Sequence, residues 1–228
     1  NRGHNVHQHL DLIAGLPHEN LECFRHSFNQ VYSMEPEQLQ LGFLKVLKGS
    51  YMEEMASSYE LRYSSGPPYE VLSTRWLSYR DILELKGVED MVEVYYNSRQ
   101  FVHTLTALAA RYGSPYEMFL DMAAFYRENR LAGISHSRIA RYEILYSIIA
   151  RHEAAQRDAS VMEMFRDLLM YDLYLRENVK SRPSFARDQS PYKQAVRAFF
   201  QREEESPRYL MDYEGYDSRQ MSKMAHVE

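Results

Sequence analysis

Strand patterning in this chain is confined to its first 49 residues, and that limits the fold more than any other feature. In His7-Gln8-His9-Leu10-Asp11-Leu12-Ile13-Ala14-Gly15-Leu16-Pro17, the apolar residues Leu10, Leu12 and Ala14 alternate with His7, His9, Asp11 and Ile13. Side chains on a strand alternate between faces, so one face is greasy and the other carries titratable groups. Gly15-Leu16-Pro17 is a turn signal, after which Leu21, Phe24, Phe28 and Val31 recur at helical spacing, predicting an amphipathic helix from Asn20 to about Tyr32. Glu35-Pro36 ends it. A second alternating run then sets Leu39, Leu41 and Phe43 on one face and Gln38, Gln40, Gly42 and Leu44 on the other. Strand, helix and strand in that order predict a parallel pair with a right-handed crossover, with both polar faces on one side and both apolar faces toward the helix. The shared polar side would be a barrel lumen or an open sheet face.

From Ser50 onward helix-start signals replace strand patterns. Ser50 with Glu53, Ser78 with Asp81, Ser114 with Glu117 and Ser160 with Glu163 fit the capping pattern, and Pro115 occupies a favoured first-turn position. Helices are expected near 51–60, 79–96, 101–112, 115–131, 136–155, 161–177 and 191–204, with 69–77 extended or irregular and a polar, partly helical tail beyond Ser206-Pro207. The fold class is therefore α+β, mainly α: residues 1–49 form a βαβ unit, 50–77 connect, and 78–228 form a helical domain. Two strands leave open edges that must be paired or covered. Either the later helices wrap them, or the chain is the carboxyl-terminal part of a longer protein whose earlier strands lie upstream, and the second is the expectation. An open edge would also allow a homodimer.

Composition narrows the function. A formal charge of −5, from 27 basic and 32 acidic residues, gives no reason to expect nucleic acid or an anionic membrane as partner. No apolar run is long enough to span a bilayer and Asn1-Arg2-Gly3-His4 opens no signal-peptide pattern, so a cytoplasmic protein is expected. Cys23 is the only cysteine, which leaves no internal disulfide and no all-thiolate metal or iron–sulfur site. It falls in the Leu21–Phe28 run and is expected to be a buried, inert thiol. The 19 tyrosines and 12 methionines are expected mainly as core packing.

His7, His9 and Asp11 on one strand face form the sharpest local cluster. Two imidazoles two residues apart can share a divalent ion, but a site needs further ligands and the second strand offers only Gln38, Gln40 and Lys45. Polar residues lining a lumen are the plainer reading of both histidines. No G-x-S-x-G, glycine-rich phosphate loop or dinucleotide fingerprint occurs, and Glu53-Glu54 and Glu203-Glu204-Glu205 read as solvated helix faces.

The run His9-Leu-Asp-Leu-Ile-Ala-Gly-Leu-Pro17, Glu19, the Phe24/Phe28 helix and Pro36-Glu-Gln-Leu-Gln-Leu-Gly-Phe-Leu-Lys-Val-Leu-Lys-Gly49 resemble the last part of a radical S-adenosylmethionine barrel. More specifically, they are similar to cobalamin-binding radical enzymes of the anaerobic magnesium-protoporphyrin IX monomethyl ester cyclase-like group. Pro67-Pro-Tyr-Glu-Val-Leu-Ser-Thr-Arg-Trp-Leu-Ser-Tyr79 and Tyr95-Tyr-Asn-Ser98 resemble the helical region that follows the barrel there, and the likeness covers roughly residues 5–105. It implies a TIM-like barrel whose final βαβ is present here, with S-adenosylmethionine, a 4Fe-4S cluster on a CxxxCxxC loop, and cobalamin as cofactors of the full-length parent. This chain has no such loop, so the fragment is expected to bind none of them fully and to catalyse nothing alone. The resemblance implies contacts from Asp11 to the amino or ribose groups of S-adenosylmethionine, with Ile13, Gly42 and Leu44 near its adenine. The implied partners are the upstream barrel and cobalamin domain of the same chain and a small organic substrate. A non-catalytic helical interaction module, and a metal-dependent hydrolase using His7 and His9, stand as the alternatives.

Overall fold

A computed structural model describes residues 7–154, 159–176 and 181–226. It is mainly helical, with 55% helix and 9% strand, and contains two small sheets. The chain separates into two compact units, one running to Ile134 and one beginning at Ser135. The division falls inside the stretch 78–228 rather than at the end of the βαβ unit.

The first unit opens with β1, His9–Ala14, then α1, Leu21–Ser33, and β2, Gln38–Phe43. β1 and β2 pair in parallel, with His9 opposite Gln38, Asp11 opposite Gln40 and Ile13 opposite Gly42. Opposed residues share a face, so Leu10, Leu12, Ala14, Leu39, Leu41 and Phe43 form the apolar side and His9, Asp11, Ile13, Gln38, Gln40 and Gly42 the polar one, as the alternation predicts. Ala14, Leu39, Leu41 and Phe43 are buried. His7 precedes the strand, so the regular run begins two residues later than the pattern suggests.

Asn20 caps α1 by accepting from the backbone N–H of Cys23, and Phe24 and Phe28 are its buried residues. Cys23 is exposed, contrary to expectation: it lies one position off the Phe24/Phe28 stripe, and a helix turns about 100° per residue. Phe28 packs edge-on against Tyr116 and Phe119, with ring centroids 5.5 and 5.9 Å away. Arg25 adds a polar tie, donating to Glu84 at 2.7 Å and lying 5.2 Å from the Tyr116 ring centre.

After β2 the chain forms α2, Tyr51–Glu54, then β3, Arg62–Tyr63, and β4, Val71–Ser73. The expected helix over 51–60 stops after one turn. Ser57 and Ser58 are weak helix formers, and Glu60 adopts a positive φ of 52° that a right-handed helix excludes. β3 and β4 pair antiparallel, and the approach to β4 also runs alongside the end of β2, where the Val71 N–H donates to Leu44 O and the Val46 N–H to Tyr69 O.

α3, Tyr79–Met91, begins in a capping box of Ser78 and Asp81 and runs into a π-helical turn, Val92–Asn97. α4, Val102–Ala109, and α5, Pro115–Glu128, complete the first unit. Gly87 lets α3 approach α5, since a Cβ there would stand 3.1 Å from that of Ala123.

The second unit contains α6, Arg138–Glu153, α7, Ala159–Tyr174, α8, Lys193–Glu205, and α9, Ser218–Met224. Ser160 does not cap α7 as its pairing with Glu163 suggests, because the helix already includes Ala159. Packing accounts for fewer tyrosines than expected. Tyr95, Tyr116, Tyr126 and Tyr142 are buried, but Tyr51, Tyr79, Tyr171, Tyr192, Tyr209 and Tyr216 are exposed, as the polar hydroxyl permits. Among the described residues no helix is long and apolar enough to cross a membrane.

Candidate functional site

The polar face of the strand pair carries an imidazole, a carboxylate and amides side by side. On it His9 Nε2 lies 3.0 Å from Asp11 Oδ1 and 3.2 Å from Gln40 Oε1, so one imidazole joins both strands. The Asp11 side chain remains 63% exposed and Ile13 47% exposed, so a carboxylate and an apolar surface stand side by side, open to a ligand.

These residues continue into a shallow depression of about 370 Å³ at the carboxyl ends of the strands. Asp11, Ile13, Gly42 and Leu44, the residues that the resemblance assigns to S-adenosylmethionine, all line it, together with Gln40 and Lys45. Asp11 is an acceptor for amino or hydroxyl groups, while Ile13 and Leu44 offer flat apolar contact. A Cβ at Gly42 would meet only Leu12 O, at 3.8 Å, so the space beside this glycine is open rather than filled by the protein.

The turn below the depression is tightly specified. Gly15 has φ +92°, and a Cβ there would lie 2.8 Å from Val71 Cγ1. The close approach seats β4 against the end of β1. Just beyond, the His18 ring lies 4.6 Å from that of Trp76 and 6.0 Å from that of Tyr59, an aromatic cluster from three separate segments that no local pattern announced. Glu19 Oε2 is buried without a hydrogen-bond partner, and burial raises the Glu19 carboxyl above its usual range.

The two outer edges of the strand pair differ. Gln38 N donates to Gln8 O and Leu44 N to Ala14 O, so the parallel ladder uses the even-numbered residues of β1 and turns the backbone groups of His9, Asp11 and Ile13 to the opposite edge. Among the described residues no strand pairs with that edge. The outer edge of β2 is closed instead by a side chain. Leu39 N–H donates to Asn97 Oδ1 at 3.0 Å, and Asn97 Nδ2 donates to Leu39 O at 2.9 Å and to Glu93 Oε2 at 2.8 Å. Tyr96 supports the same edge by donating its hydroxyl to Pro36 O. The π turn aims Asn97 and Tyr96 at β2, a use of π geometry that helical periodicity in the sequence does not reveal.

His7 lies outside β1, and among the described residues no group of three or more His, Cys, Asp or Glu is placed to hold a metal ion. Residues 57–228, most of the chain, match the family model described as "Protein of unknown function (DUF4080)". The chain belongs to the DUF4080 family. A search of curated proteins found no match. The DUF4080 match starts beyond α2, so it takes in β3, β4, α3 to α9 and the π turn with the Asn97 that closes β2, and leaves β1, α1, β2 and α2 outside.

Proposed function

We propose that this DUF4080 chain carries the last strand–helix–strand of a radical S-adenosylmethionine barrel and the helical region that follows it, as the carboxyl-terminal part of a cobalamin-dependent radical enzyme. The observation that carries the reading is the convergence of Asp11, Ile13, Gly42 and Leu44, drawn from two strands, on one depression at the strands' carboxyl ends. Ligands of α/β barrels gather at that end. The unequal edges support it: among the described residues no strand pairs with the outer edge of β1, which could take a preceding parallel strand, while Asn97 closes β2.

The residues fit some of the cofactors and not others. S-adenosylmethionine suits the depression, where Asp11 would accept from its amino or ribose groups and Ile13 and Leu44 would flank its adenine. A 4Fe-4S cluster does not suit this chain, whose single cysteine sits exposed on α1. In such an enzyme the cofactors supply the radical and the transferable methyl group, for methyl transfer to, or oxidative cyclisation of, a small organic substrate. The residues described here would bind and orient, and the polypeptide by itself would be catalytically incomplete.

The test is reconstitution with iron and sulfide under anaerobic conditions, applied to this polypeptide and to the natural polypeptide extended upstream. The longer chain should take up a 4Fe-4S cluster, seen by its electron paramagnetic resonance after reduction, and the shorter one should not. A longer chain without three closely spaced cysteines would sink the proposal.

A further inference from the structure

The second unit contains a cleft that the strand pair does not use. α8 and α9 pack side by side and flank an open cleft of about 420 Å³. Lys193 and Arg197, four residues apart on α8, stand on the same side of that helix and line the cleft, and Arg219 lines it from the first turn of α9. The Ser222 hydroxyl at its edge donates to Arg219 O at 2.9 Å, and Val196 and the buried Phe200 add an apolar floor.

Three cationic side chains line the cleft, and the neighbouring carboxylates bond to backbone N–H groups rather than to them. Glu203 Oε2 accepts from the backbone N–H groups of Arg208, Tyr209 and Leu210 at 3.0, 2.8 and 2.9 Å, which pins the chain leaving α8. Glu204 accepts from Ser218 N–H, Asp217 caps α9 through Gln220 N–H, and Asp188 accepts from Ser190 N–H. Lys193 acts on Asp188 only as a secondary influence. Among the described residues the Arg197 and Arg219 guanidinium groups have no acidic partner. Positive charges facing one cleft repel one another, and an anion between them reverses the sign of the interaction.

We propose that this cleft binds an organic phosphate, with the phosphate held by Lys193, Arg197 and Arg219, and the apolar body of the ester resting on Val196 and Phe200. A phosphate spreads its charge over several oxygens and so matches separate cations better than a single carboxylate does, and guanidinium groups can meet it bidentately. The volume falls in the range of small-molecule sites, and the formal charge of −5 on the chain opposes a long polyanion.

Isothermal titration calorimetry on the full chain, with phenyl phosphate and inorganic phosphate as probes, tests the proposal. Phenyl phosphate should bind saturably at one site and several-fold more tightly than inorganic phosphate. Arg197→Gln and Arg219→Gln should each weaken it about tenfold, the scale of one charge-assisted hydrogen bond, and about 0.5 M salt should weaken it further. Arg197, Arg219 and Lys193 are exposed, so the variants should keep the native circular dichroism, and Lys193→Gln gives an independent third reading. Sedimentation with phosphatidic acid vesicles, reversed by phenyl phosphate, would identify a lipid headgroup as the source of the phosphate; binding of phenyl phosphate without sedimentation would identify a free metabolite. No saturable binding up to about 10 mM, equal affinity for the two probes, or affinity unchanged in the Arg197→Gln/Arg219→Gln double variant would overturn the proposal.

Discussion

Replacing Asn97 with Ala should weaken the first unit by about 2–4 kcal/mol. Its amide satisfies both backbone groups of Leu39, donor and acceptor, at 3.0 and 2.9 Å, and Leu39 is fully buried. Ala removes both bonds and leaves an N–H and a C=O without a partner, and each such orphan costs roughly 1–3 kcal/mol when water cannot reach it. Asn97→Asp should be at least as damaging, because it keeps the acceptor for Leu39 N–H, loses the donor to Leu39 O and sets a second carboxylate beside Glu93. The chain contains a single tryptophan, Trp76, which lies in the first unit, so its fluorescence in a urea titration reports that unit alone. The transition midpoint should fall in both variants, and the Leu39 amide should exchange much faster with deuterium. A loss below about 0.5 kcal/mol, the ordinary range of surface substitutions, with Leu39 exchange unchanged, would refute the view that Asn97 closes the sheet.

Gly15→Ala should cost roughly 2–5 kcal/mol in the same titration, from the positive φ and from contact with Val71; Val71→Ala in that background should recover the contact part, and strict additivity of the two changes would contradict it. Glu203 is held below its usual carboxylate range by backbone donors, Arg208 N–H foremost, so its contribution to stability is present above the ordinary value of 4.5 and is lost as pH falls through the lowered value. Glu203→Gln should therefore lower the melting temperature of the second unit at pH 7 and converge with the parent in acid. Glu19 has the opposite sign: its raised carboxyl favours the fold at low pH and opposes it as pH rises through the raised value, so Glu19→Gln should raise melting at pH 7 and change little at pH 4. Deleting residues 1–48 should unfold the first unit, because it strips Phe24 and Phe28 from α5 and the strand pair from the π turn; a cooperative melt with native Trp76 emission would count against this and in favour of a self-standing helical module.

Much of the first unit is legible in the sequence because its signals are local. The faces of β1 and β2 follow from strict alternation, and the Ser50, Ser78 and Ser114 caps fall where the spacing to Glu53, Asp81 and Glu117 puts them. Local signal fails where tertiary contact decides. β3 and β4 span only a few residues each and owe their extension to one another and to the end of β2. The exposure of Cys23 turns on a phase difference of one residue, which the Leu21–Phe28 run alone does not resolve. The site shows the same split. Asp11, Ile13, Gly42 and Leu44 lie in one local motif or its partner strand and follow from likeness to it, whereas the Asn97 edge closure and the His18, Tyr59 and Trp76 cluster join segments far apart in the chain.

If Asp11 holds S-adenosylmethionine, the dissociation constant for that compound in the reconstituted, upstream-extended protein depends on the Asp11 carboxylate. Asp11→Ala should weaken binding about tenfold or more, the scale of a lost hydrogen bond to a charged group, with iron content and melting temperature unchanged. An unaltered dissociation constant in Asp11→Ala would show that the carboxylate does not contact S-adenosylmethionine.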